Sequence, residues 1–161
     1  MKSVSVCRGS LVVFLAAIWL AVPAAQTDPA AGTWHLNVAK SKYDPGPAPK
    51  SNVVMIEVAG DGIKVTTKGV GPDGSPTATS YSSSLDGKDS PVQGAGLQDY
   101  DTIALKRINA NRIEGTRKLN GKVVQTYSRE VSKDGKTLTV TTTGTNAKGQ
   151  KIHNVAVYEK K

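Results

Sequence analysis

Cysteine, phenylalanine and tryptophan are scarce in this 161-residue chain, which holds one Cys, one Phe and two Trp. With a single thiol, Cys7, the chain cannot be a disulfide-stapled scaffold. Histidine is scarce too: His35 and His153 are the only two. A stable zinc site wants three or four ligands, so two His set no metal centre. Basic residues are scattered singly, without the clusters and interleaved aromatics of a nucleic-acid binder. Long apolar runs are missing everywhere except at the N-terminus, and no stretch beyond it keeps a helical period long enough for a crossover helix. Parallel pairing of strands is thereby disfavoured.

The exceptional run is Leu11 to Val22, uninterrupted and uncharged. Lys2 and Arg8 precede it, and the small residues Ala24 and Ala25 follow. That is the three-part layout of a secretory signal, shorter than the roughly 20 apolar residues of a spanning helix. The expected organisation is a cleaved signal peptide over residues 1–24, a flexible mature N-terminus over 25–32, and one domain over 33–161. The expected destination is secreted or periplasmic, with no transmembrane segment in the mature chain. Loss of Lys2 and Arg8 with the leader lowers the basic count from 21 to 19 against 13 acids, a net of +6. Cys7, Phe14 and Trp19 would leave as well. The core must then be built from Val, Ile, Leu, Ala, Trp34 and the five Tyr. A chain of about 137 residues is long enough to do so, burying roughly two thirds of its unfolded surface.

Short β-branched runs split by turn signals fill the rest. They are Thr33–Asn37, Asn52–Val58, Ile63–Val70, Thr77–Leu85, Thr102–Ile108, Arg112–Leu119, Lys122–Val131, Thr137–Thr143 and Lys151–Glu159, with Lys88–Val92 as a short tenth. Between them stand Asp61-Gly62, Asp73-Gly74, Asp86-Gly87, Asn120-Gly121 and Asp134-Gly135. Asn-Gly and Asp-Gly accept the positive φ angles of tight hairpins. Tyr43 to Lys50 carries three prolines in five positions and reads as a loop. The expected fold is all-β, an antiparallel up-and-down meander of nine or ten strands closing into a barrel, with a β-sandwich as the alternative.

Gly32-Thr33-Trp34 sits just ahead of this meander. In that Gly-x-Trp the chain resembles the calycins, the superfamily of lipocalins and fatty-acid-binding proteins. The resemblance implies a barrel plugged at one end by Trp34 and a small apolar or amphipathic molecule bound inside. Two departures stand against it. Lipocalins pack an Arg of the last strands on the Trp, and no Arg follows Arg129 here. Fatty-acid-binding proteins carry Arg-x-Tyr on the final strand, which here reads Val155-Ala-Val-Tyr158.

Strands send alternate residues to opposite faces. Ile103, Leu105 and Arg107 share one face; so do Ile113, Gly115, Arg117 and Leu119, and so do Val123, Gln125, Tyr127, Arg129 and Val131. Three of the four arginines beyond the leader thus fall on the more apolar face. Arg grips carboxylates and phosphates with two parallel bonds. The candidate ligand-binding residues are therefore Arg107, Arg117 and Arg129 with Tyr127, holding the anionic head of an amphipathic ligand such as a fatty acid. The competing reading has these arginines near strand ends, snorkelling to solvent. A one-residue bulge would reverse the phase and remove the idea. Thr77 to Leu85 is polar on both faces and reads as a sheet edge before a wet cavity wall.

Enzyme readings are thin. No Ser stands in a Gly-x-Ser-x-Gly elbow, and the Asp-Gly pairs lack the downstream ligands of calcium loops. His153 matches the haem-binding barrels called nitrobindins only by rough position. The sequence therefore predicts a non-enzymatic carrier without metal or cofactor, whose partner is a small ligand and not a nucleic acid. A packed, ligand-free interaction module of the cell envelope is the alternative.

Overall fold

A computed structural model describes residues 28–95 and 99–161; the expected signal peptide lies outside these residues. Eleven strands form one antiparallel sheet. They are β1 (Gly32–Leu36), β2 (Ser51–Ala59), β3 (Gly62–Val70), β4 (Pro76–Ser83), β5 (Asp86–Pro91), β6 (Gln93–Ala95), β7 (Thr102–Arg107), β8 (Arg112–Leu119), β9 (Lys122–Val131), β10 (Thr137–Thr145) and β11 (Lys151–Lys160). The one helical piece among the described residues is a 3-10 turn at Val38–Lys40, capped by the Asn37 side chain.

The strand order is β5-β7-β8-β9-β10-β11-β1-β2-β3-β4-β6. First and last strands pair, Trp34 opposite Lys160 and Leu36 opposite Tyr158, so the sheet curls into a nearly closed barrel. This is the expected all-β barrel rather than a sandwich. The meander is broken at one place. β5 leaves β4 to pair with β7, and the three-residue β6 returns to pair with β4. The two free edges of the sheet thus belong to neighbouring segments joined by the buried Val92.

Hairpin chemistry explains the rest. Asn120 and Gly121 both take positive φ, 51° and 77°, as the tight turn between β8 and β9 requires. Between β2 and β3 the turn falls at Gly60-Asp61, one residue earlier than the Asp-Gly signal suggests.

One end of the barrel is packed with apolar side chains. Trp34, Ile63, Ile103, Leu105, Ile113 and Leu138 are essentially removed from solvent. The Trp34 Nε1–H donates to the Ala30 carbonyl at 2.7 Å. The Lys160 ammonium lies 5.0 Å from the Trp34 ring centre, a cation–π contact on the buried indole. Asp28 and Ala30, in the stretch expected from sequence to be a flexible mature N-terminus, are buried here. The Asp28 Oδ1 accepts from the Ala30 amide at 2.8 Å, and its Oδ2 meets Arg107 Nη2 at 2.6 Å. Residues 28–34 therefore form a floor.

Candidate functional site

Above the floor the barrel encloses a cavity of about 340 Å³, within the range of about 300–1,000 Å³ usual for small-molecule sites. Inward positions become more polar away from the floor. On β2 the sequence is Ile56, Val54, Asn52; on β3 it is Val65, Thr67; on β10 it is Leu138, Val140, Thr142. Period-2 alternation turns each of these toward the lumen, and the drift from apolar to polar along each strand gives the cavity an apolar base and a wet upper half.

The cation at its wall is Arg129 on β9, 3% exposed. It stands opposite Val140 on one side and Ile113 on the other. No ion pair and no side-chain hydrogen bond reaches it from the described residues. Its neighbours on the same face are Tyr127, 7% exposed, and Gln125, 2% exposed. Gln125 is spoken for: it donates to the Thr145 carbonyl at 3.2 Å and accepts from Arg117 Nη1 at 3.3 Å.

Arg117 on β8 is held differently. Its guanidinium carbon lies 4.3 Å from the Tyr100 ring centre and 4.9 Å from that of Tyr127. The planar cation is thus sandwiched between two aromatic faces, a favourable quadrupole contact on each side. A bulge does occur in this hairpin, but between Arg117 and Lys118, where Lys118 pairs with Val123. It turns Val123 out to solvent and leaves Gln125, Tyr127 and Arg129 facing the lumen.

The structure thus brings Arg117, Arg129 and Tyr127 to one cavity and separates Arg107 from them. Arg107 is spent on Asp28 at the floor and does not line the cavity, which corrects its assignment as a ligand contact. Arg107 shares a cross-strand row with Arg129 through Ile113; what holds it away from the lumen is the Asp28 carboxylate, which takes its guanidinium. Trp34 lies beneath the cavity and is not part of its wall.

All five tyrosines of the chain, Tyr43, Tyr81, Tyr100, Tyr127 and Tyr158, line this cavity. Four of them lie outside the residues singled out from sequence. Tyr81 shares its face with Thr77 and Thr79, so the strand read as an edge is in fact a cavity wall. Its polarity on both faces reflects solvent outside and a wet lumen inside. Tyr43 arrives from the proline-rich loop, which is tied to β11 through the His153 amide and the Asp44 carbonyl at 2.7 Å. Tyr100 arrives beside Asp99, whose Oδ1 accepts from the Ala147 amide at 2.7 Å. Burial pushes the Tyr81 and Tyr158 phenols well above the ordinary tyrosine range, against a smaller downward pull from the arginines. Burial lifts Tyr43 to about 12.

The histidines stay apart. His35 pairs with Glu159, whereas His153 pairs with Thr143 further along β11, its Nδ1 3.2 Å from the Thr143 hydroxyl. Among the described residues no three His, Cys, Asp or Glu side chains gather as a metal site would require, and no helix is long and apolar enough to cross a membrane.

Neither a protein-family model nor a curated protein matches the chain. Among solved structures, a zebrafish ileal bile acid-binding protein complexed with cholic acid superposes with a TM-score of 0.53 at 17% identity, covering 83% of this chain and 99% of its own. The siderocalin Ex-FABP, described as having dual ligand specificities, matches at a TM-score of 0.31 and 13% identity, covering 83% of this chain and 74% of its own. By fold the chain is a nearly closed antiparallel β-barrel resembling that of the bile acid-binding protein.

Proposed function

We propose that this protein is a secreted or periplasmic carrier that binds a small amphipathic anion in the barrel lumen. The observation that carries the reading is Arg129. Arg129 is 3% exposed as a residue and has no carboxylate or side-chain hydrogen-bond partner among the described residues, so its charge depends on whatever occupies the cavity. It faces a cavity, so an anionic ligand would supply the missing partner with two parallel bonds. The apolar base formed by Ile56, Val65 and Leu138 would take the ligand's apolar part. A neighbour of the same fold that holds cholic acid supports the idea that such a lumen accepts a molecule of this kind. A purely structural module would be expected to fill this space. Secretion rests on the N-terminal sequence alone. The binding groups described above include no nucleophile paired with a base, which favours binding without catalysis.

Native mass spectrometry of the protein purified from a secreting host tests both parts. The expected mass is that of a chain beginning at Ala25, carrying a stoichiometric small molecule that is lost in Arg129→Met. A bare chain that also fails to take up added anionic probes would refute the carrier reading. An uncleaved leader would refute the secretory one.

A further inference from the structure

The wall of the cavity narrows the class of anion, an inference that rests on the carrier reading above. Arg129 is the one cation there that is neither stacked nor hydrogen-bonded within the described residues, since Arg117 is sandwiched by Tyr100 and Tyr127 and bonded to Gln125. Arg129 is thus the group with free capacity for a ligand's anionic group, while Arg117, beside it, keeps its Nε buried without a partner. The remaining polar groups set the body of the ligand. The phenols of Tyr43, Tyr81, Tyr100 and Tyr127 make no hydrogen bond to a described residue, and none is sealed from space large enough for water. Among the described residues only the fifth, Tyr158, finds a partner, accepting from Asn52 Nδ2 at 3.3 Å. The hydroxyls of Thr77 and Thr79 add to this set on the β4 wall.

An alkyl chain lying across these groups would strip them of water and return nothing. Each buried hydroxyl left without a partner costs on the order of tenfold in affinity or more, whereas a hydroxyl or carbonyl oxygen on the ligand restores the bond. We infer that the lumen selects a compact, oxygen-rich anion, an acid whose ring or chain carries several hydroxyl or carbonyl groups, over an unsubstituted alkyl carboxylate. The fatty acid suggested by the apolar phase of the strands is then the wrong ligand class. The apolar base is confined to the lowest tier of the cavity, and the tyrosines and threonines above it need partners.

Isothermal titration calorimetry with three probes decides the matter: laurate, cinnamate and caffeate, the last being cinnamate with two added hydroxyls. Caffeate should bind at least tenfold more tightly than cinnamate or laurate. In Tyr81→Phe/Tyr127→Phe, which keeps both rings, that preference should shrink severalfold while laurate binding holds or improves. Arg129→Met should weaken all three. Equal or tighter binding of cinnamate or laurate, with Arg129→Met still abolishing it, would overturn the oxygen-rich class and leave the anion carrier intact. A preference unchanged in the double Phe variant would also overturn it. Loss of binding for every probe, or binding indifferent to Arg129→Met, would overturn the carrier reading and this inference with it. Circular dichroism of each variant separates these outcomes from misfolding.

Discussion

Arg107 and Asp28 form an ion pair at the barrel floor, Nη2 to Oδ2 2.6 Å apart, with the aspartate 5% and the arginine 32% exposed. The same Asp28 caps the Ala30 amide, and the Ala30 carbonyl receives the Trp34 indole. One carboxylate therefore joins the segment before β1 to β7 and orients the buried tryptophan. Replacing Asp28 by Ala strands the Ala30 amide and Arg107 together. Because Arg107 reaches solvent, the expected loss is modest, about 1–2 kcal/mol, or roughly 3–6 °C in Tm for a domain of this size. Thermal unfolding followed by circular dichroism measures it. Arg107→Met should lower Tm similarly and leave probe affinity within about twofold. A large loss of affinity in Arg107→Met would restore it to the binding site.

Arg117 does two jobs at once, stacking on Tyr100 and Tyr127 and bonding Gln125. Tyr100 is held in place from a loop rather than a strand, so the stack is also what fixes that loop over the lumen. Lysine keeps the charge and loses the planar face. Arg117→Lys should cost about 1 kcal/mol of stability, from cation–π contacts worth about 0.5–1 kcal/mol each. It should also speed hydrogen exchange at the Asp101 amide, which donates to the Lys118 carbonyl at 2.9 Å. Exchange at the Val131 amide, far from the stack, should not change. Uniform acceleration at both would mean a global effect and no special role for the sandwich.

The tyrosine-lined cavity gives the fold an alkaline limit. Tyr43, Tyr81 and Tyr158 all have phenols raised by burial, Tyr43 to about 12. In the unfolded chain each would ionise near 10. A folded value above the unfolded one means the native state holds the proton more tightly, so the stability it contributes is complete below about pH 10 and is lost as pH climbs through the folded values. Urea midpoints should be flat from pH 7 to about 9.5 and fall steeply by about pH 12. Spectrophotometric titration should show fewer than five tyrosinates before unfolding begins. Full ionisation of all five in a folded protein near pH 10 would contradict the burial described here.

Much of this architecture can be read from residues alone, and where it cannot the reason is physical. Asn120-Gly121 and Asp134-Gly135 announce hairpins because few other pairs accept their φ angles, and the alternation on β7 to β9 points Arg117, Tyr127 and Arg129 inward. β6 escapes notice because Gln93-Gly94-Ala95 has neither β-branched residues nor length; its pairing with β4 is imposed by the surrounding barrel. Arg107 has the right phase and sits in the same cross-strand row as Arg129, but it is taken by Asp28, 79 residues away along the chain, a contact that alternation does not encode. Tyr43 and Tyr100 reach the cavity from loops placed by contacts across the chain, Asp44 with His153 and Asp99 with Ala147. No local pattern carries that information. Tyr81 could have been found: it alternates with Thr77 and Thr79, and a strand polar on both faces suits a wet lumen as well as an edge.

Arg129 offers the sharpest separation of stability from function. It stands between Ile113 and Val140 on the neighbouring strands, with no ion pair or side-chain hydrogen bond among the described residues. Replacing a buried charge that has no protein partner by an apolar side chain of similar length removes the cost of holding that charge out of bulk water. Arg129→Met should therefore raise Tm, or leave it unchanged, while weakening anionic probes by tenfold or more. Adding a tight-binding probe should raise the Tm of the native sequence by linkage and leave that of Arg129→Met where it was. The two proteins would converge in stability as the probe concentration rises. Should Arg129→Met instead unfold at lower temperature without probe, the arginine would be satisfied inside the barrel by contacts other than a ligand, and its role would be to hold the wall together.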